Sequence, residues 1–194
     1  MPCFGLGGRS PSVHAFGQTL LSSAARFTHA HPRSWRSDMP LSIGTVAPTI
    51  KLPAKPGEEV DVGALFGREK VVILFFPLAF SSVCTEEMCH FRDNWSVWSG
   101  LGCKVFGVSI DSPFVTDKFR TELSIPFPIL SDFNKTVAAS YDALHADLMG
   151  LKGVTKRAAY VIGTDGKVAY SWEAEIPKTQ VDFDAIKAAV AAAK

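Results

Sequence analysis

Cysteine is scarce in this chain: four in 194 residues, at positions 3, 84, 89 and 103, too few to staple a fold together. No two of them form a C-x-x-C pair, so the dithiol signature of thiol-disulfide reductases is missing. Long apolar runs are absent too. The longest, Val71 to Phe80, is interrupted by Pro77, whereas a membrane-spanning helix needs about 18 to 20 residues; a soluble protein with no membrane partner is expected. Excess charge of either sign is also lacking. A formal net charge of +1 supplies no field to attract a nucleic acid. There is no internal repeat. With 47% apolar and 20% charged residues, the composition is that of an ordinary globular domain with a sizeable core.

Residues 1–38 differ from the remainder of the chain. They hold four arginines (Arg9, Arg26, Arg33, Arg36), a single acid at Asp38, and many serines and glycines. Such a segment reads either as a transit peptide or as an over-extended start with Met39 as the true first residue. The second is preferred, because Met39-Pro-Leu-Ser-Ile-Gly opens directly into domain-like sequence. A cytoplasmic location follows from that reading, and an organellar one from the other. Residues 39–194 are expected to form one domain, and Cys3 carries no chemistry in either case.

From Met39 onward β-rich runs alternate with helical patterns, which predicts an α/β domain with a mixed or mostly parallel sheet. Val71 to Phe76 is a continuous apolar run of strand length, expected at the centre of the sheet and buried on both faces. Lys104 to Ile110, Phe127 to Leu130 and Ala159 to Ile162 read as further strands. The turn Thr164-Asp-Gly-Lys167 lets Val168 to Trp172 return as a hairpin partner. Met88, Phe91, Trp95 and Trp98 recur at helical spacing, a stripe that should pack on the sheet and end at Gly100 and Gly102. Cys84 lies one turn before Met88 on that stripe. A last helix, Phe183 to Ala193, places Phe183, Ile186 and Val190 on one face.

The reactive form of cysteine is the thiolate, which a free thiol supplies only sparsely at neutral pH. Cys84 follows a loop, Pro77 to Val83, that leaves a buried strand and enters a helix. Its sulfur is therefore expected in the first helical turn, where unpaired N–H groups and the macrodipole favour an anion. Crevices beyond the carboxyl ends of strands are where open α/β sheets usually place their chemistry.

Pro77-Leu-Ala-Phe-Ser81-Ser-Val-Cys84 resembles the P-x-x-x-[TS]-x-x-C signature of the peroxiredoxin family, and the strand before it is similar to that family's. Gly44-Thr-Val-Ala-Pro48, Val108-Ser-Ile-Asp-Ser112, Phe127-Pro-Ile-Leu-Ser-Asp132 and Lys156-Arg-Ala-Ala-Tyr-Val-Ile162 extend the resemblance over nearly all of residues 42–193. It implies a thioredoxin-like fold, a central mixed sheet flanked by helices. It also implies a thiol peroxidase that uses no metal, haem or flavin cofactor. Carried onto this sequence, Cys84 attacks the hydroperoxide and becomes a sulfenic acid, Arg157 supplies a permanent positive charge, Ser81 orients the peroxide, and Pro77 shields the sulfur. Two positions depart from the family pattern: serine stands at 81 where threonine is commoner, and Gly163 where aspartate is frequent.

Cys89 is the best candidate to resolve the sulfenic acid. The C-x4-C arrangement resembles the bacterioferritin comigratory protein or peroxiredoxin Q branch, which forms an intramolecular disulfide. On an intact helix residues five apart have Cα atoms about 8.5 Å from each other, whereas a disulfide needs them within about 7 Å. Local unwinding after each oxidation is therefore expected. The alternatives are a merely structural Cys89 and an external resolving thiol. Thioredoxin or a related dithiol would return the electrons, and a monomer or a homodimer fits equally well.

Blander readings hold elsewhere. Cys103 is expected in the core. Cys84, Cys89, His90 and Cys103 invite a zinc or copper site, but Cys84 and Cys89 point to different sides of one helix while metal ligands must converge. His145 reads as part of a solvated face, and Trp95 and Trp98 as core. Two rival functions remain: a thiol-disulfide oxidoreductase, disfavoured by the absent C-x-x-C, and a redox sensor or chaperone that uses the Cys84–Cys89 bridge only to change shape.

Overall fold

The computed structural model describes residues 40–194; the segment expected to be an extension, residues 1–38, lies outside the described residues. In chain order the elements are β1 (Lys51–Lys55), β2 (Glu58–Asp61), β3 (Lys70–Phe75), α1 (Ser82–Asp93), α2 (Trp95–Gly100), β4 (Cys103–Ser109), α3 (Pro113–Glu122), β5 (Ile129–Ser131), α4 (Thr136–Ser140), β6 (Ala158–Ile162), β7 (Val168–Glu173) and α5 (Phe183–Ala192). Five strands form one mixed sheet in the order β5-β4-β3-β6-β7. β4 runs parallel to β3 and to β5, whereas β6 is antiparallel to β3 and to β7. The fold is thioredoxin-like, a central mixed sheet flanked by helices. Among the described residues no helix is long and apolar enough to cross a membrane.

The alternation of side chains along each strand sends residues to two separate cores. Val72, Leu74 and Phe76 face Met88, Phe91, Trp98, Phe119, Ile186 and Val190, which come from α1, α2, α3 and α5. Val71, Ile73 and Phe75 face the other way, towards Ile50, Val137, Tyr141 and Tyr160. β3 is thus enclosed on both faces, which is why its sequence is an unbroken apolar run rather than an alternating one. Gly107 of β4 permits close packing at its end: a Cβ there would lie 3.3 Å from both Ile129 Cγ1 and Phe76 Cε1.

Three local features differ from the sequence expectations. The helix carrying Met88 to Trp98 is two helices. Asn94, at φ −106°, donates from its side chain to the His90 carbonyl at 2.9 Å and so competes with the helical ladder. The face survives the break, since Trp95 and Trp98 still pack in the same core. The strand expected from Phe127 begins at Ile129, because Pro128 has no N–H for the ladder and offers only its carbonyl, to Gly107. A hairpin, β1–β2, joins through Pro56-Gly57, with Gly57 at φ +78°.

His145 is a further correction. It is half-buried with Nε2 enclosed and without a hydrogen-bond partner, beside the buried Lys156–Glu173 ion pair of 2.9 Å. Burial and then Lys156 hold its imidazole below the usual histidine value, and Glu173 opposes them. The unfolded chain takes up this proton near pH ~6.5, so it binds more protons than the native state below that pH, and stability falls as the pH falls. Urea titrations between pH 7 and pH 5 should show this loss in the wild type and a shallower one in His145→Gln. In the core, Leu74→Ala should cost about 2–5 kcal/mol through lost burial and a residual cavity. Phe114→Ala, at a side chain 71% exposed, should stay within about 0.5 kcal/mol in the same measurement.

Candidate active site

Cys84 is the third residue of α1, which opens at Ser82. Its N–H therefore belongs to the first turn, whose donors have no partner within the helix. The Ser81 side chain, at the N-cap position, does not satisfy them. The sulfur itself is fully buried. β3 delivers the chain to this point through Pro77, also buried, and a tight turn over Leu78–Ser81. Phe80 adopts φ +63° in that turn, a conformation that costs a side-chain-bearing residue about 1–2 kcal/mol. Ser81 Oγ donates to the Leu78 carbonyl at 2.9 Å, which leaves the lone pairs of the hydroxyl oxygen free.

Arg157 arrives from the far side, just before β6, at 2% exposure. Its Nη2 donates to Cys84 Sγ at 3.3 Å, and its Nη1 to Glu87 Oε2 at 2.9 Å. Nε and Nη2 also approach the Pro177 carbonyl at 3.4 Å each. Burial alone would weaken the guanidinium's hold on its proton, but Glu87 and Cys84 together outweigh it and raise the value. Burial pushes the Glu87 carboxyl up, with Arg157 opposing. Arg157 thus stands between a thiol and a carboxylate as a cation that does not titrate in the working range.

The structure places Cys84 and Arg157 in direct contact, and Pro77 and Ser81 on the loop leading to them. Cys89 sits five residues further along the same unbroken helix, half-buried, and both thiols are free. Cys103 lies apart from the site: its thiol donates weakly to the Trp98 carbonyl at 3.8 Å, and burial pushes it up, away from the reactive form. Two participants were missed in the sequence. Glu87 has a signal, since an acid three residues after Cys84 lies on the same helix face among apolar neighbours. The Pro177 carbonyl has none, because any residue supplies one. A groove of 540 Å³ lined by Leu52, Phe114, Asp132 and Phe133 opens elsewhere and contains none of the site residues.

Known proteins resemble this chain in sequence and in fold. Residues 43–171 match the model of the AhpC/TSA family. A Coxiella burnetii protein named as a peroxiredoxin, bcp, is 34% identical over 147 residues, 74% of this chain and 93% of its own length. Among solved structures, the peroxidoxin BcpB from Mycobacterium tuberculosis superposes with a TM-score of 0.67 at 30% identity, over 76% of this chain and 95% of that one. The bacterioferritin comigratory protein of Xanthomonas campestris, for which alkyl peroxide reduction is described, gives 0.62 at 25% identity over 73% and 89%. The chain belongs to the AhpC/TSA family.

The buried pair yields a test of the site's architecture. Glu87→Ala leaves Arg157 without its carboxylate and should destabilise the fold by about 3–5 kcal/mol. Glu87→Gln keeps an oxygen for Nη1 and should lose less, as read from the midpoint of denaturant unfolding.

Proposed function

We propose that this protein is a thiol peroxidase in which Cys84 reduces hydrogen peroxide and organic hydroperoxides and Cys89 resolves the product. The observation that carries the reading is the 3.3 Å contact from Arg157 Nη2 to a buried Cys84 Sγ in the first turn of α1. A permanent cation that donates to one sulfur in the first turn of a helix, away from bulk water, is a setting that suits a cysteine nucleophile. Membership of the AhpC/TSA family supports the same chemistry.

The thiolate of Cys84 attacks the terminal oxygen of ROOH in line with the O–O bond. A sulfur–oxygen bond forms, the O–O bond breaks, and RO⁻ leaves to take a proton. Sulfur is oxidised to the sulfenic acid and the peroxide is reduced to ROH. Arg157, already beside the sulfur, donates to the peroxide oxygens and stabilises the charge that develops on the leaving oxygen. Ser81, whose own hydrogen is engaged by Leu78, accepts from the peroxide hydroxyl. Pro77 keeps bulk water from the sulfur. Cys89 then attacks Cys84 Sγ and displaces hydroxide, which leaves as water once protonated. Thioredoxin or a related dithiol reduces the disulfide, so that ROOH and two thiols become ROH, water and one disulfide.

Because α1 is continuous through both cysteines, their Cα atoms stand about 8.5 Å apart and the first turns must unwind before the disulfide closes. The test couples thioredoxin-dependent turnover of hydrogen peroxide to intact mass after one equivalent of peroxide. Wild type should turn over and become lighter by two hydrogens. Cys89→Ser should become heavier by one oxygen, and Cys84→Ser should be inert. A Cys84→Ser protein that turns over like wild type removes the proposal; a Cys89→Ser protein that does so assigns resolution to an external thiol.

A further inference from the structure

The turn that precedes the nucleophile is strained, and within it the one short bond is from the Ser81 hydroxyl to the Leu78 carbonyl, at 2.9 Å. Phe80 holds φ +63° where glycine is usual, and the closing Ser81 N–H to Leu78 carbonyl bond is long at 3.4 Å. The turn is held from outside, by the loop that follows β4. Asp111 Oδ2 accepts the Ala79 N–H at 2.7 Å, 32 residues away in sequence. The same oxygen accepts from Ser109 Oγ at 2.7 Å, and Ser109 Oγ lies 3.5 Å from the Pro77 carbonyl.

Asp111 is itself immobilised. Its N–H donates to Ser109 Oγ at 3.2 Å, and its carbonyl accepts from Ser131 Oγ at 2.6 Å. Ser109 ends β4 and Ser131 ends β5, so the carboxylate is referenced to the sheet at two points. From α3, Phe119 meets the Phe80 ring edge to face at 5.0 Å. The turn is therefore pinned at Ala79 by a charge-assisted bond and at Phe80 by packing. Ser81 follows directly. Cys84 is secured differently, by α1, by Arg157 and by the apolar core around Met88.

We infer that Asp111 is a positioning residue for peroxide reduction: it holds the Leu78–Ser81 turn so that the Ser81 hydroxyl meets the peroxide lying against Cys84. This rests on the peroxidase reading of the site. Because the turn and the sulfur are anchored separately, loss of Asp111 slows attack on peroxide while leaving the thiol's general reactivity in place.

The experiment compares two rates at one pH on the same preparations: oxidation of Cys84 by hydrogen peroxide, and alkylation of Cys84 by iodoacetamide, which needs no oriented peroxide. Asp111→Ala should lose about 10 to 100-fold in oxidation, the scale of a misplacement near 1 Å, with alkylation unchanged. Asp111→Asn should recover most of the oxidation rate, since one amide oxygen can accept both bonds that Oδ2 now takes. Should Asp111→Ala not fold, Ser109→Ala, which removes one of the two donors that orient the carboxylate, should show the same split to a smaller extent. Equal oxidation by Asp111→Ala and an active wild type overturns this inference alone. So does a parallel fall of both rates, or an Asp111→Asn as slow as the alanine variant. A wild type inert to peroxide overturns the peroxidase reading and this inference with it.

Discussion

A guanidinium almost wholly withdrawn from water is the constraint on which the site depends. Burying an unpaired cation costs several kcal/mol or more, so Arg157 can sit behind the sheet only if anions and carbonyls meet it there. Glu87 supplies a charge, Pro177 a carbonyl, and Cys84 a sulfur. Three stretches of chain meet here: Cys84 and Glu87 come from α1, Arg157 from the approach to β6, and Pro177 from the segment between β7 and α5. The arginine therefore joins three parts of the domain that the sheet alone would not bring into register. The arrangement also explains why the thiol is reached by a donor that cannot be titrated away. With Glu87 bonded to Nη1, the other arm of the guanidinium, Nη2, is directed at sulfur.

Sequence periodicity revealed the sheet because burial on both faces leaves a clear trace. β3 is an apolar run, and β6 and β7 flank a Thr-Asp-Gly-Lys turn. It failed where polar groups act locally. Asn94 breaks a helix whose apolar stripe runs on undisturbed, since a side-chain bond to the His90 carbonyl leaves no mark in hydrophobicity. β1 and β2 were unnoticed because they are mostly exposed and so carry no apolar pattern, although Pro56-Gly57 marks their turn. His145 looked solvated because the sequence identifies no partner for it, while Lys156 and Glu173, whose charges act on it, come from elsewhere in the chain.

The site shows the same division. Cys84, Pro77 and Ser81 were legible because one short loop carries all three. Arg157 was legible only through family resemblance, 73 residues from the thiol it contacts. Glu87 could have been found from its spacing, whereas Asp111 and the Pro177 carbonyl could not: one acts on a backbone N–H and the other is a backbone group. What the sequence withholds is the support of the loop rather than its chemistry.

That support bears on how α1 would serve both the attack and the resolution proposed for it. The helix is wound through both cysteines where Arg157 meets Cys84, yet Cα atoms about 8.5 Å apart cannot be bridged without unwinding. Its attachments are uneven. Towards the end, Phe91 packs on Trp98, Phe127 and Phe183, and Arg92 donates to the Leu123 carbonyl at 2.9 Å. In the first turns Ser82 and Glu86 are exposed, and Glu86 is tied only to Gln180, at 3.2 Å. The strong attachments there are the contacts of Cys84 and Glu87 with Arg157. In the proposed reaction Cys84 becomes a sulfenic acid, which alters the sulfur that Arg157 Nη2 now contacts. The contact that this proposed step alters is therefore one of those that keep the first turn wound. On the proposed mechanism, chemistry at the sulfur and release of the segment carrying it are coupled through a single buried cation.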